Sequence, residues 1–160
     1  MKDLRELLEH ELKDIYSAEK QITAALPKVI DAAHDTRLKS RLQTHLTETE
    51  GQIGRLESIF GSMGINPGNK HCKAMEGLIA ESSDMLKEDA EPEVLDAAII
   101  AGCQKIEHYE ISSYGTARHY AKELGIKDVA DLLEQTLEEE KVADTKLNDL
   151  AIERVNKKAE

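Results

Sequence analysis

Apolar residues recur along the chain in steps of three and four, the spacing of one face of an α-helix. Over residues 3–33 they are Leu8, Leu12, Ile15, Ile22, Leu26, Val29 and Ala33, with Glu19 standing where the series requires another apolar residue. A second run, 37–61, carries Leu42, Leu46, Thr49, Ile53, Leu56 and Phe60, with His45, Glu48 and Gln52 beside that face. A third, 92–124, contains the stripe Ile100, Cys103, Glu107, Glu110 and Tyr114, apolar or aromatic at both ends and acidic in the middle. The fourth, 128–156, repeats the arrangement with Leu133, Leu137, Glu140, Asp144, Leu147 and Ala151. Each run predicts a long helix. A shorter helix is expected inside 70–89, burying Met75, Leu78, Ile79 and either Met85 or Leu86.

The breaks between runs carry turn and cap chemistry. Asp35 or Thr36 is a candidate N-cap after the first helix, residues 61–68 are rich in glycine, and Pro92 suits a first helical turn. Gly125 is a C-terminal stop for the third long helix, and Pro27 predicts a kink in the first. The pattern is two helical hairpins joined by a long connector. A thirty-residue helix is about 45 Å long, and a connector of about thirty residues can travel that length. The expected fold is therefore all-α: a ferritin-like four-helix bundle with one long crossover connection containing a short helix, as a single domain over residues 1–160.

Composition agrees with this class and removes others. Strand-like alternation is absent, while Ala, Leu, Glu and Lys are abundant. A net charge of −11 argues against nonspecific binding to nucleic acid or to an anionic membrane. No segment approaches the roughly 20 apolar residues of a membrane span, and the charged amino end does not read as a signal peptide. Cys72 and Cys103 form neither a zinc pattern nor a disulfide framework, which favours a reducing cytoplasm. His71 and Cys72 are an adjacent metal-ligand pair, for which an incidental role is the simpler reading.

The candidate chemistry lies in the acidic interruptions. Folding each hairpin about its turn sets Glu19 level with residue 51, between Glu48 and Gln52. It also sets Glu110 on Glu140 and Glu107 close to Asp144. A single helical Glu is usually a solvated charge, but four helices interrupted at one height predict a common centre. Glu19, His45, Glu48, Glu107, Glu110, Glu140 and Asp144 are the candidate metal ligands. An oxygen-rich set with one imidazole suits iron or manganese. Ferritin-like di-metal proteins carry one Glu on each of two helices and Glu-x-x-His on the other two. Here the second helix has His45-x-x-Glu48 in reversed order, the third has Glu107-x-x-Glu110, and the fourth has Glu140 and Asp144 without His. His108, beside Glu107, points about 100° away from it, which suits a surface or supporting role. The competing interpretation is an acidic bundle whose carboxylates share protons or pair with Lys105 and Lys141.

The segments AEKQITAALPK, HLTETEGQI, AMEGLI, KIEHYEISSYGT and LEEEKVADTKLNDLA resemble the YciE/YciF family of ferritin-like, stress-associated bacterial proteins. The similarity runs over residues 3–158, and the third- and fourth-helix segments together are its most specific part. The resemblance implies a ferritin-like bundle, a cytoplasmic location, a homodimer, and a metal site among Glu19, Glu48, Glu107, Glu110, Glu140 and Asp144. It implies no defined reaction. Apolar positions outside the seams, Leu4, Leu7, Ile30 and Ile99, offer a twofold interface. Two functions follow as expectations: a di-metal protein of the stress response with peroxide or oxygen redox chemistry, or a non-enzymatic dimeric interaction bundle with a degenerate site. A storage cage ranks below both, because no cage interface is visible in the sequence.

Overall fold

The computed structural model describes residues 1–160. Helix α1 spans Leu4–Ala32, α2 Thr36–Met63, α3 Lys73–Met85, α4 Pro92–Glu123 and α5 Lys127–Leu150. The last continues through a π-helical turn, Ala151–Val155, into a short α6, Asn156–Lys158. No strand is present, and no helix is long and apolar enough to cross a membrane. The terminators act as the sequence suggests. Asp35 caps α2 through the N–H groups of Arg37 and Leu38, Pro92 opens α4, and Gly125 at φ 70° lets the Ile126 N–H reach Ala121 O at 2.9 Å. Pro27 sits inside α1 without ending it.

Side-chain pairs fix the topology. His34 and Asp35 meet Asp96, and Asp14 meets Tyr109, so α1 and α4 run antiparallel. Asp35 meets Lys158, while Arg55 meets Glu139 at 2.8 Å, so α2 and α5 are antiparallel as well. With the two hairpins, each long helix is antiparallel to both neighbours, and α2 is parallel to α4 across the diagonal. The segment between them must therefore travel back along the molecule. It does so over the groove between α1 and α4, against which α3 packs. The Cys72 N–H donates to Ser17 Oγ at 2.9 Å, and Gln21 Nε2 donates to the Cys72 carbonyl at 3.0 Å. Gly102 permits the closest approach: a Cβ there would lie 2.7 Å from Ser82 Oγ of α3.

The buried apolar residues form two clusters rather than one. Ile22, Leu26, Leu38, Leu42, Met75, Ile99, Ile100, Cys103 and Leu147 belong to the first. Leu8, Leu12, Ile15, Leu56, Ile59, Tyr114, Leu133 and Leu137 belong to the second. Reading along each long helix, the chain leaves one cluster and enters the other across a polar segment. The buried face of α2 differs from expectation. It runs Leu38, Leu42, His45, Thr49, Gln52, Leu56, Ile59 and Phe60, so that His45 and Gln52 lie on the seam while Leu46 and Ile53 flank it. On α5 the seam likewise takes Ala143 rather than Asp144. Of the expected interface positions, Ile99 is buried inside the first cluster, and Leu4, Leu7 and Ile30 are half-buried.

A charged hub closes one end. Asp96 accepts the N–H groups of His34 and Asp35 at 2.7 Å each, tying the α1–α2 turn to the start of α4. Asp35 accepts Arg154 Nε at 2.6 Å and Lys158 Nζ at 2.8 Å from the carboxyl end. Together these contacts set the axial register of all four long helices. Asp96→Ala leaves one buried and one part-buried N–H group, those of Asp35 and His34, without acceptors and is expected to lower stability by about 1–3 kcal/mol, with Asp96→Asn less harmful. Urea denaturation checks this, and an unchanged Asp96→Ala midpoint would show that the turn is held by other contacts.

Candidate metal centre

Between the two apolar clusters lies a polar layer to which all four long helices contribute. Helix α1 supplies Glu19, α2 His45, Thr49 and Gln52, α4 Glu107 and Glu110, and α5 Thr136 and Glu140; all are buried. The layer exists because each residue occupies a seam position of its helix. Apolar neighbours a turn away on either side draw it inward. Glu107 and Glu110, three apart, present two carboxylates on one face of α4.

Few partners satisfy these groups. The Tyr114 hydroxyl donates to Glu19 Oε1. Gln52 Nε2 donates to Glu140 Oε1, and reaches Glu139 Oε2 at 3.1 Å. The Thr49 hydroxyl turns back to its own helix, donating to the His45 carbonyl at 2.8 Å. Glu19 Oε2, His45 Nδ1, Gln52 Oε1, Glu107 Oε2, both Glu110 oxygens and Glu140 Oε2 have no hydrogen-bond partner within the protein. A buried polar group left unpaired costs about 1–3 kcal/mol, against a whole-domain stability of roughly 5–15 kcal/mol. A cluster of this size therefore needs protons, water or a cation among its oxygens.

The titration behaviour follows from that geometry. Burial, and then the charge of Glu140, pushes the Glu19 carboxyl up to about 8. Burial and the contact with Glu140 push Glu107 up to about 11. Glu110 is raised well above the carboxylate range by burial and by Glu19, Glu140 and Glu107. Burial lowers the His45 imidazole, so it is neutral near pH 7 and the 3.5 Å approach of Nδ1 to Glu107 Oε1 is not an ion pair. Neutral imidazole is the form that ligates metal.

His45, Glu107 and Glu110 each offer a ligand atom, all within 4.8 Å of one another. Two donors on one first-row ion, each about 2.0–2.2 Å away, lie at most about 4.4 Å apart. Shifts of a few tenths of an ångström would bring the three onto a common ion. Glu19 and Glu140 stand in contact with Glu110 and Glu107 respectively and extend the oxygen set. His45, Glu107 and Glu110 are thus a possible metal-ligand cluster, oxygen-rich with one neutral imidazole, and the Glu19 and Glu140 carboxylates stand beside it.

Two expected ligands stand at the rim with other partners. Glu48 is partly exposed and pairs with Arg41 at 2.9 Å. Asp144, one position off the α5 seam, accepts Gln104 Nε2 at 3.2 Å and lies 3.1 Å from His108 Nε2. Residues outside the expected ligand set also belong to the layer: Gln52, Tyr114 and the guanidinium of Arg41, whose Nε is buried without a partner. Arg41 carried no sequence signal, since Arg on a helix is usually solvated. His71 is exposed beside Glu76, and Cys72 is buried at the start of α3, its Sγ 3.0 Å from the Tyr109 hydroxyl.

With this geometry the relatives can be placed. A family profile described as a domain of unknown function, DUF892, matches residues 3–160. The chain belongs to the DUF892 family. It is 48% identical to protein YciF of Escherichia coli (strain K12) over 161 aligned residues, covering 100% of this chain and 97% of YciF. The crystal structure of the E. coli stress protein YciF superposes with a TM-score of 0.94 at 47% identity, covering 98% of this chain and 99% of that one. YcfI from Rhodopseudomonas palustris superposes with a TM-score of 0.90, also at 47% identity, over 92% of this chain and 94% of that one. A Xanthomonas campestris protein shares the fold at 21% identity and a TM-score of 0.76. The resemblance drawn from the helix motifs is thereby established at the level of the family.

The carboxylate layer predicts an unusual pH dependence for metal-free protein. Glu19, Glu107 and Glu110 bind protons more tightly folded than unfolded, where Glu titrates near 4.3. Their contribution is complete below that value and is lost as pH rises through the raised folded values. Asp14, Asp35, Glu134 and Glu139 are shifted downward, so they act only in acid, while His45, lowered by burial, opposes the trend below its usual value of about 6.5 as one group against three. With chelator present, the urea midpoint is therefore expected to fall steadily from about pH 5 to about pH 8. A flat or rising midpoint over that window would contradict the burial of these carboxyls.

Proposed function

We propose that this chain is a ferritin-like, di-metal-binding protein of the stress response, with iron or manganese held in the mid-bundle carboxylate layer. The observation that carries the reading is the concentration of unpartnered donor atoms on Glu19, His45, Glu107, Glu110 and Glu140 between two apolar clusters. The antiparallel ring of long helices with one connector running its length supports the ferritin-like assignment. The stress role rests on the E. coli relative, named as a stress protein.

Glu107 and Glu110 with His45 would hold one ion, and Glu19 and Glu140 would share the charge of a second. Glu48 and Asp144 could join by exchanging their partners Arg41 and His108. When bound, the metals would supply reversible valence change toward dioxygen or peroxide. The protein's own part is to keep the oxygens converged and exclude bulk water. Tyr114 orients Glu19 by donating to one oxygen, and Gln52 does the same for Glu140. Arg55, paired with Glu139 at 2.8 Å, covers the layer on the α2–α5 side.

A second reading has its own support. The absence of Glu-x-x-His, together with the engagement of Glu48 and Asp144 elsewhere, fits a non-enzymatic dimeric bundle with a degenerate site. Both readings place the protein in the cytoplasm as a homodimer, using half-buried apolar residues such as Leu4, Leu7 and Ile30 rather than Ile99. Sedimentation at micromolar concentration is expected to give a dimer, and a monomer would refute that assembly.

Metal should raise the melting temperature through mass action, by an amount equivalent to about 4 kcal/mol at a free concentration a thousandfold above Kd. Glu110→Gln with Glu140→Gln should retain the fold, stabilise the metal-free protein near neutral pH by removing the cost of keeping clustered buried carboxyls protonated, and blunt the metal response. Calorimetry of both proteins, with and without iron or manganese, decides the matter. Equal responses would remove these residues from the site, and no response in either would favour the degenerate bundle.

A further inference from the structure

Beside the carboxylate layer is a cavity that the metal reading does not use. It lies between α1, α3 and α4 and has a volume of about 40 Å³. A water-sized body occupies roughly 10–15 Å³ on that measure, so about three would fit. Of 14 lining residues 11 are hydrophobic, among them Ile22, Leu26, Ile79 and Ile99. The remaining three are His45, Ser82 and Ser83. His45 is 5% exposed, has no partner for Nδ1, and is a donor of the candidate metal centre. The two serines lie near the end of α3, beside Met85, which is 44% exposed. The cavity thus runs from a rim of solvent-facing α3 side chains to the imidazole of the polar layer.

The lining decides what belongs there. Water needs two to four polar partners to be held in a buried site. The greasy walls offer none between the serines and His45; the two sulfurs on the wall belong to Met85, a thioether, and Cys103, a neutral thiol pushed up to about 12 by burial. A charged or strongly hydrated ligand would lose its hydration without replacement. A small uncharged molecule of low polarity loses nothing. Helix α3 forms one wall of the cavity, and it can lie this close to α4 because position 102 is glycine.

We propose that this cavity is a binding site for a small uncharged apolar molecule of diatomic size, and its route to the His45 side of the carboxylate layer. Under the metal reading, on which the identity of the natural occupant rests, that occupant is dioxygen rather than hydrogen peroxide. Peroxide, which donates and accepts hydrogen bonds, would find no partners along the walls.

Xenon is the first probe, applied to metal-free protein as crystals under gas pressure. One xenon site is expected between α1, α3 and α4 in the wild type and none in Ala98→Phe, which places a ring in the cavity. Ala25→Leu, on the opposite wall, provides a milder block should Ala98→Phe fold poorly, as judged by its melting curve. No xenon in the wild-type cavity would overturn the proposal. The second arm uses ferrous-loaded protein and stopped-flow absorption. Nitric oxide binding is expected to slow about tenfold in the blocked variant, as when a gating element closes, while azide, an anion, binds at an unchanged rate. Equal effects on both probes, or none on nitric oxide, would overturn the route. Failure to take up iron would instead refute the metal reading, leaving xenon occupancy to decide the cavity by itself.

Discussion

Four glutamates cannot all be ionised within one buried layer. That constraint governs the structure. An isolated carboxylate buried in an apolar medium is costly enough to change its protonation instead, and like charges sharing a site raise one another further. Glu19, Glu107, Glu110 and Glu140 meet at mid-bundle with only Tyr114 and Gln52 to donate to them. The fold therefore holds the layer as an acid, with protons shared among the oxygens. The separation of the hydrophobic core into two clusters is the packing counterpart of the same fact. Each cluster seals one side of the layer, and neither crosses it.

The rest of the molecule keeps that layer in register. Because side chains on a helix repeat every turn, an axial slip of one helix by a single turn would exchange a glutamate for an isoleucine. The hub of Asp35 and Asp96 fixes the ends of α1, α2, α4 and the carboxyl-terminal segment against one another. On the flank, Tyr109 donates to Asp14 at 2.8 Å and lies against Cys72, joining α4, α1 and the connector. Lys70 reaches the same aspartate at 3.3 Å. The connector is thus fastened at mid-height, where α3 covers the side of the bundle facing His45.

Much of this was legible in the chain because the signals are local. The seam of α1 was readable residue by residue, including Glu19, since apolar residues flank it at regular spacing. The α4 stripe from Ile100 to Tyr114 was readable for the same reason, and all five positions are buried. Helix α2 was harder. Its seam passes through His45, Thr49 and Gln52, so a reading that follows apolar residues drifts onto Leu46 and Ile53 and leaves His45 beside the face. Glu48 was preferred to Gln52 as a ligand because it is a carboxylate, although the neutral amide is the one that fits beside Glu140 without adding charge. On α5, Asp144 and Ala143 compete for one seam position, and the aspartate yields because Gln104 and His108 receive it at the rim. The pairing of Arg41 with Glu48 spans seven residues on one helix and has no short-range signature. Ile99 shows the converse error, an apolar residue assigned to an interface but needed by the monomer's core.

The central claim is that protons occupy the carboxylate layer and that metal displaces them. Isothermal titration of manganese into chelator-treated protein near neutral pH, repeated in buffers of different ionisation enthalpy, counts the protons released on binding. The account predicts net proton release, because Glu19, Glu107 and Glu110 hold protons before metal arrives. The release should fall in the Glu110→Gln variant. Binding with no proton release, or no binding at all, would contradict it.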